Sequence, residues 1–133
     1  MSSTATLLFS LALAQGFNAF LPVYDGGIDF VLHRERDGQL RKVQPKARWT
    51  IDRKYVDRDI WIAFPHDSSW YLVPHDQMVE EGERHCVTQT NSWIKDGSYS
   101  RTRLSAEMVK EYEPYRFAGI SEVAASAAEE GAE

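Results

Sequence analysis

The sequence has one cysteine, no long apolar run, and no Lys or Arg among its first 33 residues. Each absence excludes a kind of structure or a class of protein. Cys86 alone cannot form a disulfide within the chain, which fits a reducing compartment such as the cytoplasm. The most apolar stretch, residues 6–14, is shorter than the ~20 residues of a membrane-spanning helix. We therefore predict a cytoplasmic protein without a membrane partner.

The same apolar stretch allows two interpretations. It could be the core of a secretory signal with small residues at 12 and 14, but such signals carry a positive charge before the apolar core, and none is present. Alternatively, a Ser or Thr at positions 2–4 caps a helix that ends at Gly16. We favour a helix over residues 4–15 that packs through Leu7, Leu8 and Leu11; the alternative is an exported binding domain that begins near Gln15.

Length and composition favour a single domain. With 133 residues, 43% of them hydrophobic and 12% aromatic, the chain can build one core. We expect one domain over residues 1–120. From residue 121 the sequence consists mostly of Ala, Ser, Glu and Gly, which predicts a disordered tail over 121–133.

Between these ends the sequence reads as short strands separated by turn residues. Asp37-Gly38 is typical of a hairpin turn, and we expect helices from Asp76 to Gly82 and from Ser105 to Tyr112. The predicted strands, with an antiparallel preference, cover residues 17–23, 28–32, 40–49, 59–64 and 70–73. This order predicts an α/β (mixed α+β) fold with a central mixed sheet flanked by helices.

A basic segment lies within an acidic chain. Residues 34–54 contain eight basic and three acidic side chains, a local charge of +5, whereas the whole chain carries −5. Local field rather than net charge decides whether an anion approaches a surface, so a polyanionic partner is possible. The alternative is a solvated strand edge whose cations oppose aggregation.

Strand alternation brings part of this segment to one face. Lys42, Gln44, Lys46 and Arg48 share a face of the return strand, and Asp29 shares the face of Val31. A hairpin can therefore bring Asp29, Gln44 and Lys46 together. Such a set can hold Mg²⁺ through oxygen ligands and offset charge at a phosphate under attack, although similar patterns also arise by chance in sheets.

The segments Asp25-Gly26-Gly27-Ile28-Asp29-Phe30-Val31 and Val43-Gln44-Pro45-Lys46, preceded by a helix, resemble the PD-(D/E)xK nuclease superfamily. The resemblance is to the branch with QxK in place of (D/E)xK and covers about residues 4–75. It implies a restriction-endonuclease-like core and Mg²⁺-dependent cleavage of DNA, with Mn²⁺ as a substitute. Asp29 and Gln44 match the metal site, and Lys46 matches the catalytic lysine.

Two features differ from this family. Its members carry a Glu on the first helix, whereas residues 1–23 contain no acidic side chain. Pro45 lacks an N–H and predicts a bulge or altered pairing in a central strand. Both features favour the alternative function, an inactive member of the fold that acts as a nucleic-acid-binding or protein-interaction module.

The remaining candidates concern DNA and a second subunit. The expected DNA contacts are Lys42, Arg48, Arg53 and Lys54, and the segment from Trp49 to Tyr55 either stacks on bases or packs its own aromatics. His and Cys spacing gives no zinc motif. Because one copy offers few phosphate contacts, we expect a homodimer. Its surface would be formed by Trp61, Trp70 and Tyr71, unless these belong to the core.

Overall fold

The computed structural model describes residues 3–21 and 30–119, and three α-helices and eight strands lie within them. In chain order they are α1 (Ser3–Ala14), β1 (Asn18–Phe20), β2 (Phe30–Arg34), β3 (Gln39–Pro45), β4 (Trp49–Asp52), β5 (Ile60–His66), β6 (Ser69–Pro74), α2 (His75–Arg84), β7 (Ser98–Arg101), α3 (Ala106–Tyr112) and β8 (Arg116–Gly119).

Six strands form the main sheet, in the order β1-β2-β3-β5-β6-β8. Strands β3 and β5 run parallel, and the other neighbouring pairs are antiparallel. Strands β4 and β7 form a separate antiparallel pair. The predicted mixed α+β fold with a central mixed sheet and flanking helices is confirmed, and the parallel pair of β3 and β5 is what makes this mainly antiparallel sheet mixed.

Helix α1 covers one face of the sheet. Leu8 and Leu11 are buried against Phe30, Leu32, Val43 and neighbouring apolar residues. Gly16, at a φ of +83°, follows the helix, and the Phe17 N–H donates to the Ala12 carbonyl, a common way to end a helix with a left-handed glycine. The helix and its contacts through Leu8 and Leu11 are confirmed; the side chain of Leu7 lies outside the description.

The opposite face carries a second core over β5 and β6. Its buried side chains come from the main sheet, the β4–β7 pair and helices α2 and α3, and include Trp49, Ile62, Phe64, Tyr71 and Met108. Trp70 and Tyr71 are only 7% and 5% exposed. They cannot form the predicted subunit surface, because Tyr71 is buried in this second core and Trp70 in the core under α1. Trp61, the third residue of that prediction, is half-buried and packs against the core under α1.

Two hairpins follow from turn residues. The β2–β3 turn covers Glu35–Gly38, and Gly38 adopts a φ of +71°, as the Asp-Gly pair predicts. Strands β5 and β6 are joined by Asp67 and Ser68, with φ values of 46° and 65°. Positive φ at both central residues gives a turn whose twist matches that of the strands.

Two boundaries differ from the prediction. The return strand expected over residues 40–49 ends at Pro45, and the chain bends at 47–48 before β4 pairs with β7. Helix α2 begins at His75 rather than being capped by Asp76, which instead accepts the Asp57 N–H in the first turn of the helix. Pro74 occupies the position before the helix, and its side chain has no atom that can accept an N–H of the first turn.

The structure does not describe every predicted segment. The tail over 121–133, the strand beyond Leu21 and the residues around Asp29 lie outside the described ranges.

Ser105 caps α3 by accepting the Met108 N–H, as predicted. No described helix is long and apolar enough to cross a membrane.

Candidate active site at the end of strand β3

Gln44 lies near the end of β3, in the interior of the main sheet. In the paired register, Phe30 is opposite Val43 and Val31 is opposite Lys42. Val43 is buried under α1, so alternation turns Lys42 and Gln44 to the other face. Gln44 is half-buried and pairs with Ile62 of β5. The predicted common face for Lys42 and Gln44 is thus the face away from α1.

Pro45 fits this strand without a bulge. Its register opposite Ala63 continues directly from Gln44 opposite Ile62, and the Lys46 N–H then donates to the Ala63 carbonyl at 2.8 Å. Alternate residues of a strand bond to opposite neighbours, so the missing N–H of Pro45 does not interrupt the bonds to β5. Toward β5 the predicted bulge or altered pairing is wrong; on the other side of β3, the residues that would be opposite Pro45 lie outside the described range.

Lys46 is the first residue after β3, and an aromatic ring fixes its surroundings. Its ammonium nitrogen lies 5.4 Å from the ring centroid of Tyr55, and the Lys54 ammonium lies 5.2 Å from the same centroid. Ammonium groups at this distance are attracted to a ring. Tyr55 is only 2% exposed and therefore offers both lysines a fixed support.

Tyr55 is held in turn by a buried histidine. The rings of Tyr55 and His75 meet edge-on at 5.5 Å. His75 Nε2 accepts the Asp52 N–H at 3.0 Å, so Nδ1 carries the proton and donates to Asp76 at 3.2 Å. Burial lowers the pKa of His75 more than the hydrogen bond to Asp76 raises it. A neutral imidazole with both nitrogens engaged positions Tyr55 and does not serve as a base.

The support of Tyr55 by His75 is not a local feature of the sequence. Tyr55 ends the segment of aromatic and basic residues that begins at Trp49, whereas His75 lies far from it along the chain. The return of β6 beside β5 brings the two residues together. No spacing of neighbouring residues could have indicated this contact.

Asp29, the predicted metal ligand and catalytic carboxylate, lies outside the described residues. Its neighbour Phe30 pairs with Val43, which directly precedes Gln44. The convergence of Asp29 with Gln44 and Lys46 stays a prediction. Among the described residues no group of three or more His, Cys, Asp or Glu side chains could hold a metal.

Two of the predicted DNA contacts also bind within the protein. The Lys42 ammonium donates to the Arg58 carbonyl at 2.7 Å. The Arg53 guanidinium donates to the carbonyls of Trp93 and Ile94 and lies 5.7 Å from the Trp93 ring centroid. These contacts give Lys42 and Arg53 structural roles, whether or not they also meet DNA.

The other two predicted contacts are more open to solvent. Arg48 is exposed in the bend between β3 and β4. The Lys54 side chain is 62% exposed and lies 3.8 Å from an oxygen of Asp52. Trp49 and Tyr55 are 1% and 2% exposed, so the idea that they stack on bases is wrong. They pack within the protein, and the cations beside them remain at the surface.

No protein-family model matches the sequence, and no curated protein matches it. The chain is similar to the solved structure of a bacterial homing endonuclease, with 19% sequence identity and a TM-score of 0.46 over 98% of this chain and 91% of the other.

Proposed function

We propose that this protein is a Mg²⁺-dependent endonuclease that hydrolyses DNA phosphodiester bonds at the end of β3. Asp29, Gln44 and Lys46 would be its active-site residues. The observation that carries the proposal is the pairing of Phe30 with Val43, with Lys46 directly after β3. If the antiparallel register continued by one residue, Asp29 would be opposite Gln44, as the resemblance to the PD-(D/E)xK superfamily requires.

The donor set suits magnesium. Asp29 would supply a carboxylate and Gln44 an amide oxygen, and Mg²⁺ prefers oxygen ligands and retains several waters. Gln44 is half-buried beside Ile62, which restricts its amide to few orientations. When bound, the ion would polarise the phosphate and activate a water; Mn²⁺ would substitute for it.

Lys46 would act on the phosphate or on the attacking water. Its position is set twice, by the backbone bond to Ala63 and by the ring of Tyr55. A positive group held in advance stabilises the negative charge that develops during attack without reorganising at that moment. Lys54, beside the same ring, adds positive potential for the phosphate backbone.

DNA approach would use the basic segment over residues 34–54. Arg48 and Lys54 lie at the surface next to the proposed site, and Lys42 shares the face of Gln44. Contacts of this kind orient a duplex without reading its sequence. The proposed partner is therefore DNA, with affinity that falls steeply as salt rises.

We keep one alternative, an inactive member of the fold that binds nucleic acid or protein. It is favoured by α1, whose sequence from Ser3 to Ala14 offers no carboxylate. A site with one carboxylate holds a divalent cation more weakly than a site with two. Pro45 no longer supports the alternative, because β3 accommodates it in register.

The deciding experiment measures metal binding and cleavage together. Wild-type protein would be incubated with supercoiled, linear and single-stranded DNA in Mg²⁺ or Mn²⁺, beside Asp29→Asn and Lys46→Ala. We expect cleavage by the wild type only, and Mn²⁺ binding that is lost in Asp29→Asn and retained in Lys46→Ala. The exposed Lys110→Ala is the matched control. Binding of DNA without cleavage supports the alternative, and failure to do either leaves a protein-interaction module.

A homodimer is part of this proposal, since breaking both strands of a duplex calls for two active sites. The subunit surface is not the one around Trp70 and Tyr71, which are buried. Sedimentation at micromolar concentration, with and without DNA, tests it. A monomer under both conditions contradicts the dimer but not the active site.

A further inference from the structure

A second polar site lies on the other face of the sheet. A pocket of about 290 Å³ opens where β2 ends and β3 begins. Arg41 alternates with Lys42 along β3 and thus faces away from Gln44. The pocket is lined chiefly by Gln15, Arg34, Arg41, Trp61, Tyr115 and Arg116. Three guanidinium groups therefore border one small cavity.

Arg41 is held between two rings. Its guanidinium carbon lies 5.0 Å from the ring centroid of Phe17 and 4.5 Å from that of Trp61. The Arg41 Nε is buried and has no hydrogen-bond partner among the described residues, while one terminal nitrogen makes a long contact of 3.4 Å to Gln39. Arg41 as a whole is half-buried, but its Nε–H has lost water without gaining an acceptor, and this costs free energy that a bound acceptor would recover.

The neighbouring arginine increases this cost. Arg34 lies 4.6 Å from the centroid of the same Phe17 ring, and its charge adds to burial in lowering the pKa of Arg41. Asp37 pairs with Arg34 at 2.7 Å, and no ion pair joins Arg41 to a carboxylate in the described part of the chain. Arg34 and Arg41 thus bring two positive charges to the pocket, and of these two only Arg34 forms an ion pair with a carboxylate among the described residues.

We propose that this pocket binds a phosphate group, with Arg41 as the principal donor and Arg34 and Arg116 beside it. Planar guanidinium groups bind the oxygens of phosphate in pairs, and several of them suit a doubly charged oxyanion. Arg41 is oriented in advance by Phe17 and Trp61, so little side-chain freedom is lost on binding. Two sources offer this chemistry, a free phosphate or nucleotide and a nucleic-acid backbone. This site does not depend on the function proposed above.

The test begins with inorganic phosphate added to ¹⁵N-labelled wild-type protein at low salt. We expect saturable changes of the amide signals of Gln15, Arg41 and Arg116, with a dissociation constant on the order of 1 mM. Arg41→Met should weaken binding about tenfold. Arg103→Met is the matched control, since Arg103 is a surface arginine with a 79% exposed side chain; it should bind as the wild type does.

Two further arms identify the source of the phosphate. A nucleoside 5′-monophosphate that binds more tightly than inorganic phosphate at the same amides indicates a small ligand that also uses Trp61. A short DNA duplex, added without divalent cation, that displaces phosphate indicates a backbone contact. Either result supports the site.

A purely structural role for Arg41 predicts different results. If Arg41 only spaces the two rings, Arg41→Met should lower the melting temperature and phosphate should not bind. Under our proposal, Arg41→Met without phosphate should melt at or above the wild-type temperature, because it removes a buried N–H that has no acceptor among the described residues. Arg41→Lys keeps the charge but not the planar fork and should also bind more weakly. Wild-type protein that shows no saturable change with phosphate overturns the proposal, whatever the variants do.

Discussion

The Lys46 ammonium and the ring of Tyr55 lie 5.4 Å apart at the end of β3. This relationship links the proposed active site to the second core, because Tyr55 is buried there together with Ile51, Met78 and Val87. A lysine on a plain surface loop would sample many positions. Here the Tyr55 ring limits the positions of the Lys46 ammonium on one side, and this ring cannot move without disturbing the core.

The first prediction is that Lys46 contributes much to DNA cleavage and little to DNA affinity. Lys46→Ala should abolish DNA cleavage while DNA affinity falls only slightly, because the lysine is one of eight basic residues over 34–54. The slope of log affinity against log salt should decrease by about one unit. Cleavage assays and binding titrations at several salt concentrations measure the two effects. A loss of affinity that matches the loss of cleavage would make Lys46 a binding residue instead.

The second prediction separates two arginines of the basic segment. Arg53→Glu should lower the melting temperature, because the carbonyls of Trp93 and Ile94 lose their donor and face a carboxylate. Arg48→Glu should leave the melting temperature unchanged, since Arg48 is exposed in a bend, and should weaken DNA binding and flatten its salt dependence. Thermal melts and binding titrations of both variants test this. Equal melting temperatures would show that the Arg53 contacts contribute nothing measurable.

Local signals predicted the elements whose ends are set by one or two residues. Gly16 ends α1, Gly38 completes the β2–β3 turn, and Ser105 caps α3. In each case a left-handed φ or a side-chain oxygen acts on neighbours a few positions away, so the pattern is visible in the sequence.

Long-range relations could not be predicted in this way. The parallel pairing of β3 with β5 requires a crossover connection, which here contains β4, and no local pattern encodes it. The support of Lys46 by Tyr55 and the approach of Arg41 to Phe17 and Trp61 depend on that crossing and on α1. The sequence indicated candidate site residues on β3 but not what each would contact.

The third prediction concerns pH. Glu81 is 2% exposed, and burial raises its pKa, while hydrogen bonds from Tyr112 and Gln77 lower it. The folded protein therefore keeps a proton that the unfolded chain releases, and the free energy of unfolding falls as pH rises from the unfolded pKa to the folded one.

Glu81→Gln removes this dependence because an amide does not ionise. At a pH below the ordinary pKa of Glu the variant and the wild type should unfold at similar denaturant concentrations. As pH rises through the folded pKa, the variant should become the more stable protein. Urea unfolding across this range measures the difference, and Glu83→Gln, an exposed position of α2, is the control. A difference that does not change with pH would show that Glu81 has the same pKa in both states.

The last prediction concerns the bond between Trp49 and Tyr112. The Trp49 Nε1–H donates to the Tyr112 hydroxyl at 2.7 Å, and both side chains are buried. The bond ties β4 to α3 in the second core. Tyr112→Phe keeps the ring but leaves the Trp49 donor and Glu81 without this hydroxyl, which should cost ~1–3 kcal/mol of the free energy of unfolding.

A double-mutant cycle isolates the bond from the packing around it. Trp49→Phe should also destabilise the fold, because it removes both the donor and part of a buried ring. The two changes together should cost less than the sum of the single costs, since the second cannot remove a bond that the first has already broken. Additive costs would show that the two residues act independently and that β4 and α3 are joined by apolar contacts alone.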